Sequence, residues 1–530
     1  MAAIQNHPRF RRWLAASSDR RQFLSQLLAG SVASLVHRHA HASPRRPSAI
    51  DRDPFQLGVA SGEPSPDGFV LWTRLAPRPL EGGGMDPIPL EVRYEVFADE
   101  SLKDLVRQGT AIASPELAHS IHVELEGLSP DRWYWYRFHV ADATSPVGRT
   151  RTTPAKESNP ESLRFAFASC QHFETGYYHA YHDMVQQPLD AIVHLGDYIY
   201  EGAGVSGRLR QHQGGELKNL SDYRNRHAQY KTDSNLQGAH AHCPWLVTWD
   251  DHEFDNNYAG NISEESSVDV EQFLQRRAAA YQAYYEHMPL RRRMIPRGPD
   301  MDLYRAIPFG HLACFQVLDT RQYRTDQPCG DGNKPPCPET FSPDATLLGD
   351  KQEQWLLQSL QDHPATWNIL AQQVMMARVD RIPGEKVGWS MDQWSGYDTA
   401  RKRLLQQLKD RQIANPTVLT GDIHNNWVND LHVDFDRPDA PPIATEWVGT
   451  SISSGGDGKE AAKDRESVMT ENPFVKFYNA ERGYVLCEVT SKQWRSDYRV
   501  VPKVTAPEPE CLSRAQFLVS SGRPGAQRID

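Results

Sequence analysis

Beyond the first forty residues, no segment is apolar enough to cross a bilayer as a helix, so the mature product is expected to be soluble. Basic blocks are missing from the same region. With 58 Lys and Arg against 68 Asp and Glu, the formal net charge is −10. Such a chain offers a polyanion no electrostatic footprint, which excludes a nucleic-acid binder. It does not exclude a small phosphorylated ligand, because a local cationic site can sit inside an acidic protein. Internal repeats and low-complexity tracts are absent too, which excludes a solenoid. Cysteine is sparse, at seven in 530 residues.

What the chain does carry begins at its N-terminus. Ser18-Asp19-Arg20-Arg21-Gln22-Phe23-Leu24 sets paired arginines before a modest apolar stretch, and Ala40-His41-Ala42 offers a small-x-small cleavage pattern. Residues 1–42 therefore read as a twin-arginine signal, with a disordered basic tail as the alternative. The implied partner is the twin-arginine export machinery, and the implied location is periplasmic or secreted. That route carries proteins already folded, commonly around a metal. The cysteines suit an oxidising destination. Cys329 and Cys337 flank a short Gly/Pro-rich loop and can close a disulfide; Cys487 and Cys511 are a second candidate pair, while Cys243 and Cys314 sit in apolar runs as buried thiols.

At this length, two domains plus extra segments are expected. Residues 55–153 read as an all-β domain, with Phe69–Thr73 and Leu90–Phe97 as strands. Leu128 to Tyr136 resembles the turn into a late strand of a fibronectin III or Ig-like sandwich, with Tyr134 closing the corner through a hydrogen bond to nearby backbone. Residues 161–501 alternate strands with helices, which implies a layered α/β domain. Apolar runs at Leu163–Ala168, Leu189–Leu195, Trp245–Trp249, Trp367–Ala371 and Pro416–Thr420 read as buried strands. Val270–Tyr285, Lys351–Gln361 and Ala400–Arg411 read as amphipathic helices. Residues 502–530 are left as a tail that either shields the site or trails.

The chemistry lies just past the strands. Ser169-Cys170-Gln171, Gly196-Asp197-Tyr198-Ile199-Tyr200, Asp250-Asp251-His252-Glu253-Phe254-Asp255-Asn256-Asn257 and Gly421-Asp422-Ile423-His424 each follow a predicted strand. In α/β sheets, ligands bind outside the carboxyl ends of the strands. Taken singly, a Gly-Asp is usually a turn and an Asp-Asp-His-Glu string can be a helix N-cap. Four such clusters at four strand ends are a different matter, because Asp, His, Asn, Cys and Tyr are metal-ligating types that no core requires.

This set, with Gln373-Val-Met-Met376, Gly58-Val-Ala-Ser-Gly-Glu-Pro64 and Leu71-Trp-Thr-Arg-Leu75, resembles the alkaline phosphatase D family, a branch of the calcineurin-like metallophosphoesterases. The resemblance runs from about Phe55 to Val501. It implies a β-sandwich flanked by helices behind an N-terminal β domain, and an enzyme hydrolysing phosphate monoesters, diesters or both. Substrates would be small phosphate esters, with phospholipid or nucleotide diesters included, and a monomer is expected. It implies that Asp197 bridges two metals, that Cys170 and Tyr200 ligate Fe3+, and that Asp422 and His424 complete the shells with Asn257, Asp251 or both. Oxygen-rich positions beside the iron would suit Ca2+. Many relatives start with Asp-x-His where this chain has Cys170, and carry Asn where it has Asp251. Both departures favour iron and calcium over two divalent ions such as Zn2+ or Mn2+. The catalytic candidates are Asp251, His252 and Arg321. His252 either protonates the leaving group or orients a ligand; Arg321 either pairs with a substrate phosphate or forms an internal salt bridge. A purple acid phosphatase is the nearest rival, but it should show Gly-Asn-His where this chain shows Asp-Asp-His-Glu.

Overall fold

The computed structural model describes residues 52–437 and 439–530, so the expected export signal at 1–42 lies outside the described residues. Two large sheets pack face to face. At the centre of one, Ser162–Ala168, Ala191–His194 and Trp245–Val247 run parallel, with Val193 level with Phe167 on one side and Leu246 on the other. In the other, Ala313–Val317, Trp367–Ala371, Pro416–Thr420 and Ala444–Val448 are parallel neighbours. Apart from Ser162–Ala168, whose Ser162 and Arg164 are exposed, these strands are buried along their whole length, as parallel strands covered on both faces must be. Phe165, Phe167, Val193 and Leu246 of one sheet share a core with Phe315, Ile369, Leu419 and Trp447 of the other. Each such side chain contributes about 1.5–3 kcal/mol by leaving water.

Helices cover the outer faces. Val270–His287 starts where the Asp269 carboxylate accepts the N–H groups of Glu271 and Gln272, and its buried Phe273, Tyr281 and Tyr284 pack beneath the first sheet. Gly349–Asp362 and Asp398–Asp410 cover the second through Leu356, Leu360, Leu404, Leu405 and Leu408. The chain thus has an α/β fold with an N-terminal β domain.

That β domain is joined to the rest by more than a linker. Its strands Val59–Ser65, Gly68–Arg74 and Ser120–Leu125 extend the first sheet to ten strands, and Gly62 pairs with Trp245. Leu90–Phe97, Leu105–Ala113 and Trp133–Val140 belong to a separate five-stranded sheet. At its corner, the Tyr134 hydroxyl accepts from Ser129 N at 3.1 Å and donates to Ser129 O at 3.3 Å.

Two expectations are corrected. Residues 502–530 are not a tail: Leu512–Ser520 and Arg523–Arg528 are the last two strands of the ten-stranded sheet, on the edge opposite the β domain. Ala515, Phe517 and Val519 alternate inward and join Trp494 and Tyr498 in the core, which is the period of a half-buried strand. Cys487 and Cys511 are both free; Cys487 is buried with its sulfur 3.7 Å from Ser496 Oγ. Cys329 and Cys337 do form a disulfide, and Cys243 and Cys314 are buried thiols.

Candidate metal centre

The strand ends deliver their side chains to one cleft. Metal-ligating atoms of Cys170, Asp197 and His424 lie within 4.8 Å of one another; so do those of Asp197, Asp251 and His252, and those of Asp250, Asp251 and Asp422. Asp197 and Asp251 are shared between groups, so the three form one continuous row. Tyr200 joins it, donating its hydroxyl to Asp197 Oδ2 at 2.8 Å, with His424 Nε2 at 3.2 Å. Asn257 enters through its backbone, whose N–H donates to Asp251 Oδ2 at 2.7 Å.

The backbone is bent to achieve this. Cys170, Asp197, Asn257, Asp422 and His424 have φ of +59°, +55°, +48°, +62° and +57°. For residues other than glycine, each left-handed conformation costs on the order of 1–3 kcal/mol, and such strain gathers where function over-determines the structure. Both Gly-Asp pairs need their glycine. A Cβ on Gly196 would come within 2.4 Å of the Asp250 nitrogen, and one on Gly421 within 2.6 Å of Ser169 Oγ. Glu253 ties two strand ends together: its carboxylate accepts the N–H groups of Asp197, Tyr198 and Asp250 at 3.0, 2.6 and 2.8 Å.

Electrostatically, the row is short of positive charge. Burial raises the Asp197 and Asp250 carboxyls well above the ordinary range, and lifts Asp422 to about 7 despite the nearby Arg321. Burial, reinforced by Asp197, likewise keeps the Cys170 thiol and the Tyr200 phenol protonated. Asp251 is held low: burial opposes its charge, but Arg321 and His252 outweigh that. Asp197 Oδ1 and Asp250 Oδ2 are buried without a hydrogen-bond partner, and Asp251 Oδ1 has only a 3.4 Å ion pair to Arg321 Nη2. Orphaned carboxylate oxygens beside a thiol, a phenol and an imidazole are what a cation site looks like before its ions are considered, because cations would replace the protons that burial otherwise demands. The donor set fits bound metal cations.

Arg321 is the internal salt bridge and not a phosphate ligand. Its side chain is 0% exposed, with Nε 2.5 Å from Asp250 Oδ1, Nη1 2.8 Å from Asp392 Oδ1, and Nη2 3.4 Å from both Asp251 and Asp422. It offsets the charge of the row, and its buried guanidinium is taken up by these carboxylates. His252 lies against the Tyr200 ring, with centroids 4.3 Å apart, and its Nδ1 is 2.8 Å from Glu201 Oε2. A carboxylate only accepts, so Nδ1 carries a proton and Nε2 is the nitrogen left for the cleft.

Sequence reasoning missed Glu201, Glu253, Asp392 and Ser454. Glu201 directly follows the Tyr200 motif and was within reach. Ser454 Oγ lies 2.7 Å from both the Tyr200 hydroxyl and the Cys170 carbonyl oxygen, but it comes from a serine-rich loop with no distinguishing spacing.

Comparison with known proteins settles the family. Residues 165–498 match the PhoD-like phosphatase family, and residues 40–154 match the N-terminal domain of PhoD-like phosphatases. The chain belongs to the PhoD-like phosphatases. It is 50% identical to alkaline phosphatase D of Bacillus subtilis (strain 168) over 481 residues, covering 90% of this chain and 82% of that one. A solved structure described as that of PhoD superposes with a TM-score of 0.88 at 50% identity, covering 91% of this chain and 93% of the other. A PhoD-like phosphatase is a phosphoric ester hydrolase, and this chain is one.

Proposed function

We propose that the protein is an exported, metal-dependent phosphatase whose metals are held by Cys170, Asp197, Tyr200, Asp251, Asn257, Asp422 and His424. The observation that carries this reading is the continuous row of ligating atoms with the orphaned carboxylate oxygens of Asp197 and Asp250 inside it. Thiolate and phenolate at one end favour Fe3+, and the carboxylate and carboxamide oxygens at the other favour Ca2+. Bound there, closely spaced cations would neutralise the phosphate oxygens and activate the attacking water.

The chain's own residues do the rest. Asp197 and Asp251, shared between neighbouring groups, set the spacing of the row. Arg321, paired with Asp250 and Asp392 and 3.4 Å from Asp251 and Asp422, offsets part of the negative charge of the row. Glu201 fixes the His252 ring so that Nε2 faces the cleft. Burial opposes the charge of the imidazolium, but Glu201, Asp251 and Asp197 outweigh it and raise the pKa well above the usual value, so Nε2 also carries a proton that can pass to the departing alcohol oxygen. The small phosphate esters that such a cleft takes include monoesters and diesters. Among the described residues, no helix is long and apolar enough to cross a membrane. Export through the twin-arginine route is supported by the motif at Arg20 and Arg21.

The test is metal analysis of natively exported protein, with activity on a chromogenic monoester and diester before and after calcium chelation. Iron and calcium in the protein, a visible phenolate-to-iron absorption band, and loss of turnover on chelation are expected. A colourless, zinc-loaded and fully active enzyme overturns the assignment.

A further inference from the structure

The direction of the Asn257 carboxamide is set from outside the cleft. The Asn257 carbonyl oxygen accepts from Gln327 Nε2 at 2.6 Å, and its side-chain Nδ2 donates to Asp331 Oδ2 at 2.8 Å. Because a carboxylate cannot donate, Asp331 dictates which end of the carboxamide is nitrogen. Oδ1 is thereby turned away from Asp331, and it has no hydrogen-bond partner among the described residues. Asn257 is held beside Asp251, a member of the row, by its own backbone N–H.

Asp331 belongs to no motif of the cleft. It sits at φ +60° in the loop closed by the Cys329–Cys337 disulfide. That loop is docked through Gly332 O, which accepts from Met391 N at 3.0 Å, and through pairing of Asn333–Lys334 with Trp389–Ser390. Inside the loop, Lys334 Nζ donates to the carbonyls of Cys329 and Gly330 at 3.1 and 2.7 Å. Both cysteines are partly exposed, within reach of a soluble thiol.

We propose that Asp331 is a positioning residue that aims Asn257 Oδ1 at the metal row, and that the Cys329–Cys337 disulfide makes this aim depend on redox state. The inference rests on the metal reading of the cleft. A dithiol reductant supplies two electrons and two protons. The S–S bond breaks, Cys329 and Cys337 become thiols, and the dithiol becomes its own disulfide. The loop then regains conformational freedom, Asp331 leaves Asn257, and the carboxamide is free to turn its nitrogen toward the cations.

Calorimetric titration of the full-length mature protein with Ca2+ tests this, using wild type, Asp331→Ala, Asp331→Asn, the double variant Cys329→Ser/Cys337→Ser, and the double variant with Asp331→Ala added. The serine variants replace a reductant, which would itself chelate metal. Asp331→Ala is expected to weaken binding by about 10–100-fold, the usual effect of losing a partner that orients a ligand. Asp331→Asn keeps an acceptor and should lose less. The two serines should weaken binding in the wild-type background and add nothing once Asp331 is Ala. Wild-type affinity in Asp331→Ala overturns the proposal, and so does an equal serine effect in both backgrounds. If oxidised wild type binds no Ca2+, the calcium reading itself falls, and the inference with it.

Discussion

Glu201 holds His252 by a 2.8 Å contact to Nδ1, so the ring presents Nε2 to the cleft while Tyr200 packs against its face. A histidine fixed in this way is built to move a proton, and its loss should be felt most when the leaving group is hard to expel. His252→Asn is therefore expected to lower kcat by about 100–10,000-fold for an alkyl phosphate, and far less for p-nitrophenyl phosphate, whose phenolate leaves unprotonated. Glu201→Gln should follow the same pattern more weakly. Steady-state kinetics on the two esters check it; equal losses on both would make His252 a ligand-orienting residue instead.

Gly196 is expected to tolerate no side chain. It holds φ +108°, and a Cβ would press on the Asp250 backbone at 2.4 Å. Gly196→Ala should cost on the order of 3 kcal/mol in urea unfolding and displace Asp197 enough to remove activity.

Lys231 gives the fold a pH dependence. It is buried with its ammonium 4.4 Å from the Trp72 ring centroid and 3.3 Å from His240 Nε2, and desolvation lowers its pKa from 10.5 to about 7. Between pH 7 and 10.5 the unfolded chain therefore binds more protons than the folded one, so stability rises with pH across that window. The full rise from this group is about 5 kcal/mol. Lys231→Met should be more stable than wild type at pH 7 and lose that advantage by pH 10. Urea midpoints at the two pH values, compared between the proteins, check the sign.

The last strands should prove indispensable. Phe517 is fully buried against Tyr498 and Phe477. Phe517→Ala is expected to cost about 3–5 kcal/mol. Removing residues 502–530 should give insoluble protein, because the Gln493–Val501 strand would lose one of its two partners and become an open sheet edge. Solubility of the truncated chain measures this directly.

The strands and helices around the cleft were legible because burial on both faces leaves a continuous apolar run, and burial on one leaves a helical period. The Trp367–Ala371 and Pro416–Thr420 strands have the limits their apolar runs suggest. The last two strands were overlooked because their alternation of polar and apolar residues is short and follows a Pro-rich stretch. Residue types at strand ends likewise pointed to the cleft, since Cys, Asp, Tyr and His gathered at four strand ends are metal-ligating types that no core requires.

What sequence could not decide was which charged groups face the cleft and which lie under it. Arg321 and Asp331 both lie outside the ligand motifs, yet one is sealed beneath four carboxylates and the other reaches in from a disulfide loop. The sequence by itself determined the local chemistry, because ligand types and strand periods are properties of neighbouring residues. Only the tertiary structure decided partnership, because a salt bridge or an oriented amide depends on distances between segments far apart in the chain.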